Sequence, residues 1–386
     1  MNYYKRNGSS TIFCLLLFAL SFNISAQHEQ EFINEISENE LDLTISELQN
    51  VKNISQLQYV EETYWVNVAD LASIQENGRI TFTIPGYEKV LTTQASYIEY
   101  NGPDDYSWKG DFENGLGEMM MVYKPWGVIG SFRFDDNYYF LHPITSTRNI
   151  LAKHDINAYP PAGCAMMDVD NTSSIANSNL CQQENECNAV IDILLLITPR
   201  AYRRLSTISS STFGILLYWY YSIFSLNVAS DNSEIENINF RFRWTSYDLP
   251  LTVRIDDDLE VFTLDSTARQ LRDEYKADLM VLVTDQNYGV AAGIAWAGPN
   301  NNFAYAITEL DFMWMPRYTF AHEVSHLLGA HHDRGSRTPG PLNECPHGHI
   351  FNGNSGDIHR TLLSTLPLGL SRIQNFYNPD VLIDGN

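Results

Sequence analysis

The chain has 386 residues, enough for two or three compact units of ordinary size and too many for one small core. Its 24 Lys+Arg stand against 47 Asp+Glu, a formal net charge of -23. A surface of that sign repels phosphate backbones and anionic membranes, which excludes nucleic acid as the natural partner.

The first stretch is an address, not a structure. Lys5 and Arg6 precede an apolar run from Ile12 to Leu20, and small residues follow at Ser25 and Ala26. This is the pattern of a secretory signal peptide over residues 1–26, and its apolar run is too short to cross about 30 Å of hydrocarbon. The expected product is secreted or periplasmic. Cys14 leaves with the signal, so Cys164, Cys181, Cys187 and Cys345 remain. Four cysteines in an oxidising compartment can pair in three ways, and spacing does not choose among them.

From Gln27 to about Val60 the chain is polar and acidic, with scattered apolar positions such as Leu41, Leu43, Ile45 and Leu48, and reads as a loosely ordered or helical lead-in. From about residue 61 to 154, segments such as ITFTIPG, MMMVYKPWGVIG and SFRFDDNYYFLHPI are rich in β-branched and aromatic residues and punctuated by Gly, Pro and Asn. That composition predicts a small antiparallel β domain. The polar, turn-rich stretch of about residues 168–188 reads as an exposed linker, where proteases cut.

Beyond the linker the pattern changes. Ala189 to Pro199 is a nearly continuous apolar run suited to a buried strand. Thr212 to Val228 approaches the length of a spanning helix, but Ser222, Ser225, Asn227 and its aromatics suit a helix buried against a sheet, so no membrane span is expected after the signal is removed. Asn237 to Trp244 alternates, with Ile238, Phe240, Phe242 and Trp244 on one face. Phe262 to Ala277 reads as one helix and Leu279 to Val283 as another buried strand. Alternating strands and helices predict an α/β domain with a mostly parallel twisted sheet. Two short strands follow, Gly289 to Gly298 and Asn302 to Leu310. The glycines of the first suit an edge strand, whose free backbone groups could pair with an extended peptide.

Residues 322–333 read HEVSHLLGAHHD. His322 and His326 are four apart, so on a helix their rings stack on one face and can chelate one zinc ion. Glu323, next to the first ligand, can lie beside the metal without binding it and take a proton from water that the metal acidifies. A catalytic zinc site needs a third protein ligand and an open position. Gly329 is the natural place for the helix to end, because glycine accepts the left-handed conformation that reverses the chain. A histidine three residues further on can return to the metal, which selects His332 and leaves His331 pointing away.

These residues complete HExxHxxGxxH, and the helix, the turn, the following Asp333 and the strand order before them resemble the adamalysin or reprolysin branch of the metzincin zinc metallopeptidases, in its bacterial secreted form. The resemblance covers about residues 188–386 as an α/β (α+β) catalytic domain. More weakly, it covers the β-rich region from about residue 96 to 154, which looks like the propeptide of such proteins; the propeptide would then span 27–187 and act as the enzyme's own inhibitor. The resemblance implies that Asp333 braces the floor of the site and that Gly293, Ile294, Ala295 and Trp296 form the edge strand that aligns protein or peptide substrates. It also implies a methionine in a tight turn beneath the zinc. Here Leu363 stands in that place, a swap of similar volume that should cost under about 1.5 kcal/mol.

Other features are less decided. Cys164 is either a latency device whose thiolate fills the open zinc position, which the resemblance encourages, or an ordinary disulfide partner. His347 and His349, two apart with no carboxylate partner, read as a surface loop. Leu366 and Leu368 would by analogy wall an apolar pocket for the side chain after the scissile bond. Nothing in the residues marks a calcium site. The function expected is a zinc-dependent endopeptidase made as a latent proenzyme. Its rivals are a metzincin-like zinc-containing binding protein that does not cut, with Leu363 as a mark of decay, and an HExxH enzyme whose third ligand is a downstream glutamate.

Overall fold

Alternating apolar residues and an alternating strand–helix order build two sheets in the computed structural model. It describes residues 31–74, 78–113, 117–160, 163–168, 189–209, 211–235, 237–289, 291–298, 301–333, 347–353, 358–365, 372–376, 378 and 381. The signal sequence, the linker after residue 168, Cys181, Cys187, Cys345, Leu366 and Leu368 lie outside the described residues.

The N-terminal sheet has nine antiparallel strands: β1 (Ile33–Glu35), β2 (Val60–Val68), β3 (Arg79–Ile84), β4 (Tyr87–Gly102), β5 (Asp105–Phe112), β6 (Glu118–Lys124), β7 (Gly127–Phe134), β8 (Asn137–Pro143) and β9 (Asn149–His154), in the order β1-β2-β9-β8-β7-β6-β5-β4-β3. Its two edges approach each other, with Phe32 beside β1 meeting Phe82 of β3 edge to face at 5.0 Å, so the sheet curls nearly into a barrel. Helices α1 (Ile45–Ser55) and α2 (Leu71–Ile74) complete this half. The expected lead-in is therefore part of the unit. Its helical reading holds over α1, where Thr44 and Glu47 form a capping box. β1 was unreadable because three residues are too few to show a period.

The run Met119 to Val122 is apolar without alternation because both faces of β6 are covered. Met119 and Met121 face the inside of the curled sheet with Trp108 and Phe132, whereas Met120 and Val122 join the large core shared with the C-terminal half.

That half is built on a six-stranded sheet in the order β10-β14-β15-β13-β11-β12, where β10 is Gly163–Asp168, β11 Ala189–Ile197, β12 Ile238–Ser246, β13 Leu279–Thr284, β14 Ala291–Ala297 and β15 Tyr305–Glu309. The β14–β15 pair is antiparallel and the other pairs are parallel. Helix α3 (Pro199–Ser206) follows β11, and α4 (Thr212–Asp231) precedes β12. The helix expected over 262–277 is two, α5 (Ile255–Leu264) and α6 (Ser266–Tyr275). Asp265 separates them because its carboxylate accepts from the Ala268 amide and caps the second. A further helix, α7 (Thr319–Leu327), and a small antiparallel pair, β16 (Ile350–Asn352) with β17 (Ile358–Arg360), complete the elements.

Helix α4 is apolar all round because it lies between the two sheets. On one side Asn227 Oδ1 accepts from the Phe240 amide of β12 at 3.0 Å. On the other, the Tyr221 hydroxyl meets Ser131 of β7 at 2.7 Å, the Tyr218 hydroxyl meets His142 of β8 at 2.8 Å, and Asn227 Nδ2 donates to Glu99 of β4 at 2.7 Å. No helix among the described residues is long and apolar enough to cross a membrane.

The size of this contact makes a prediction. Leu217, Tyr218, Tyr221 and Phe224 are buried, and burying each such side chain is worth about 1.5–3 kcal/mol. Together they offset much of the cost of about 4–15 kcal/mol of holding two bodies together, before the apolar side chains opposite are added. Cleavage at a protease site engineered between 168 and 189 is expected to leave the two fragments co-eluting on size exclusion in native buffer. Separate elution would refute this.

Candidate metal centre

Helix α7 is buried along its whole length. After it, Gly329 adopts φ +97, and the Ala330 amide reaches back to the Ser325 carbonyl at 3.0 Å. This reversal does two things. It carries His332 back toward the helix, and it places the Ala330 carbonyl 2.7 Å from His326 Nδ1. The Leu362 carbonyl stands 2.6 Å from His322 Nδ1 in the same way. With Nδ1–H donating to a carbonyl in both rings, both Nε2 atoms are bare lone pairs.

The three Nε2 atoms form a triangle: His322 to His326 3.1 Å, His322 to His332 3.1 Å, and His326 to His332 3.0 Å. Nitrogens bound tetrahedrally to zinc at 2.0–2.1 Å stand about 3.3 Å apart, so the triangle has the right size for that ion. Burial first, then neighbouring charge, holds His322 and His326 well below the ordinary histidine range and His332 down to about 4. Three converging neutral imidazoles repel one another unless a cation sits between them, so the donor set fits zinc.

His331 does not join them. It pairs with His347 as a short parallel bridge, and the Gly348 amide donates to its carbonyl at 2.9 Å. His347 corrects the surface-loop expectation: it is buried, and its Nδ1 lies 2.9 Å from the His332 carbonyl, where it steadies the ligand's backbone. A buried partner fifteen residues away leaves no trace in local spacing. His349 belongs to the neighbouring wall, with its amide donating to Thr361.

Glu323 is fully buried beside the triangle, and burial pushes its carboxyl up to about 8. Its Oε2 has no partner among the described residues. Asp333 accepts from the Thr365 amide at 2.7 Å and from its hydroxyl at 3.2 Å, which ties the end of the ligand segment to the turn after Leu363. Leu363 is buried in the core below, and Gly348 packs against its backbone so closely that a Cβ would sit 2.5 Å from the Leu363 carbonyl carbon.

Cys164 arrives from the other half of the chain. Strand β10 pairs in parallel along β14 with Cys164 opposite Gly293, Ala165 opposite Ile294, Met166 opposite Ala295 and Met167 opposite Trp296. The strand expected to offer a free edge is therefore covered, by a segment whose end was read as the start of the linker. The Cys164 sulfur lies 3.1 Å from Glu323 Oε1 and 3.6 Å from His326 Nε2, and burial, then Glu323, pushes the thiol up. Among the described residues, Cys164, His322, His326 and His332 bring their donor atoms within 4.8 Å of one another.

Gly293 lets β14 pass this close. A Cβ there would stand 2.5 Å from Glu323 Oε1 and 2.8 Å from its Cδ. Gly293→Ala is expected to displace the carboxylate and lower kcat/KM about a hundredfold, the cost of an ångström-scale misplacement, with zinc content unchanged. Parallel assays of turnover and bound zinc check this, and undiminished turnover would contradict it.

A buried three-histidine site on a helix that ends in a glycine turn, with a carboxylate beside it, is the arrangement of metzincin-like zinc metallopeptidases, to which part of this chain is similar. Residues 222–358 match the model of metallo-peptidase family M12, of the reprolysin type. A curated relative, the peptidyl-Asp metalloendopeptidase of Xanthomonas campestris pv. campestris, is 26% identical over 288 residues, which are 70% of this chain and 64% of the relative. The alignment thus spans less than two thirds of the relative's length. Among solved structures, metalloproteinase-II from Bacteroides fragilis aligns with 66% of this chain and 81% of its own at 13% identity and a TM-score of 0.42. A chaperone–substrate complex aligns with 49% of this chain and 29% of its own at 19% identity and a TM-score of 0.38.

Proposed function

We propose that the chain is an exported zinc endopeptidase made as a latent proenzyme, with residues 1–26 as signal, 27–187 as propeptide and 188–386 as catalytic domain. The observation that carries the reading is the triangle of converging Nε2 atoms with Glu323 beside it. His322, His326 and His332 would hold zinc, which when bound polarises a peptide carbonyl and acidifies water. Glu323, with an unpartnered oxygen in a buried site, takes the proton of the attacking water and returns it to the leaving nitrogen. Strand β14 lines up an extended substrate by backbone pairing once β10 has left it.

The position of Cys164 supports latency over a disulfide role. Its thiolate would complete a four-donor set and close the place that water must take. Strand β10 blocks the substrate's edge at the same time. The relative's name assigns aspartyl peptides to that protein, and an acidic residue at the cut is the substrate class we carry over here.

The metal assignment is tested by two neighbouring substitutions. His332→Ala is expected to abolish bound zinc and chelator-sensitive cleavage of denatured casein, whereas His331→Ala keeps both. Full zinc in His332→Ala would move the third ligand to another residue.

A further inference from the structure

Three arginines lie buried under the site. Arg317, Arg360 and Arg372 are 6%, 2% and 6% exposed, and none forms an ion pair with a described carboxylate, unlike Arg133, Arg148, Arg200, Arg241 and Arg254. Arg372 donates from Nε to the Ser364 carbonyl at 3.3 Å and from Nη1 to the Arg317 carbonyl at 2.7 Å, contacts that orient the guanidinium without neutralising it. The Nε atoms of Arg317 and Arg360 are buried with no hydrogen-bond partner among the described residues.

The group sits against the reactive centre. Arg360 ends β17, two residues before Leu362, whose carbonyl holds His322. Residues 372–375 run alongside, with the Ile373 amide donating to the Arg360 carbonyl at 2.9 Å and the Leu362 amide donating to the Asn375 carbonyl at 3.0 Å. The charge of Arg372 acts on Cys164, Glu323 and all three histidines. Burial, with mutual repulsion and against the partial offset of Asp333, brings Arg360 down to about 9, and burial brings Arg372 down to about 10 against the pull of Cys164, Glu323 and Asp333. Charge removed from water and left unpaired is costly, and a carboxylate is the ligand whose two oxygens match a guanidinium's paired N–H groups.

We propose that Arg372, supported by Arg360 and Arg317, is the specificity-determining group that receives an acidic substrate side chain next to the scissile bond. This rests on the endopeptidase reading. A cationic group then stands where an apolar pocket was expected from Leu366 and Leu368, which lie outside the described residues, and the acidic side chain supplies the direct ion pair that Glu323 and Asp333, acting from further off, do not form.

The test uses the full chain bearing Cys164→Ser and a set of peptides identical except for Asp, Asn, Leu or Lys after the cut bond. Asp and Asn have the same shape, so their ratio isolates charge. A kcat/KM preference of about a hundredfold or more for Asp over Asn is expected, the scale of a desolvated charge pair. Arg372→Met and Arg360→Met, checked for folding by circular dichroism, should reduce that ratio toward unity. Cleavage without a preference for Asp overturns the pocket but leaves the endopeptidase reading intact, as does an undiminished ratio in folded variants. If either variant fails to fold, the Asp-to-Asn ratio of the Cys164→Ser chain alone decides. Cleavage of none of the peptides, or of denatured casein, overturns both readings.

Discussion

Glu323→Ala is expected to lower peptide hydrolysis by about 10²–10⁴-fold, the usual contribution of a positioned general base, while bound zinc stays stoichiometric. The asymmetry follows from where the carboxylate lies. Glu323 contributes no nitrogen to the histidine triangle, and its side-chain contact is to Cys164, so removing it leaves the three donors and their bracing carbonyls in place. Burial also disfavours its charged form, so its loss is not expected to weaken the fold. Cleavage of denatured casein together with metal analysis checks both halves. Full activity would remove Glu323 from the mechanism, and loss of zinc would make it a structural element of the site.

Cys164→Ser should release activity in a chain whose linker is intact. The thiol is tethered by a strand paired residue by residue along β14, so its effective concentration at the metal is about millimolar or higher. Replacing the sulfur with a hydroxyl, a poor zinc ligand at neutral pH, is expected to raise activity about tenfold or more over the wild-type proenzyme. Release should stay incomplete, because β10 still occupies the edge that substrate needs. Subsequent proteolysis of the N-terminal half should raise activity further. A wild-type chain as active as Cys164→Ser, before any cleavage, would rule out latency through this residue.

The two halves of the site differ in how far they could be read from the chain. His322, Glu323, His326, Gly329 and His332 lie within eleven residues, on one helix and one turn, where 3.6 residues per turn and the freedom of glycine relate their positions. The strands of the C-terminal sheet were legible for the same reason, since Ile238, Phe240, Phe242 and Trp244 alternate with exposed residues. The break at Asp265 was also local; an aspartate ahead of Ser-Thr-Ala is a capping signal that a single apolar pattern over 262–277 concealed.

What escaped was joined over distance. Cys164 reaches Glu323 across 159 residues, His347 supports His332 across 15, and Arg372 meets Arg317 across 55. The nine-stranded sheet was foreseen as β structure, but not its size or the way its outer face clamps α4.

Local periodicity and turn chemistry were therefore enough to relate the three histidines and the carboxylate beside them to one helix and one turn and to find most of the strands, because each depends on near neighbours along the chain. Three features came only from long-range packing: the cover over β14, the enclosure of α4 between two sheets, and the gathering of three unpaired guanidinium groups below the site. Register and docking of distant segments produce them, and no short stretch of sequence encodes which distant segment will arrive.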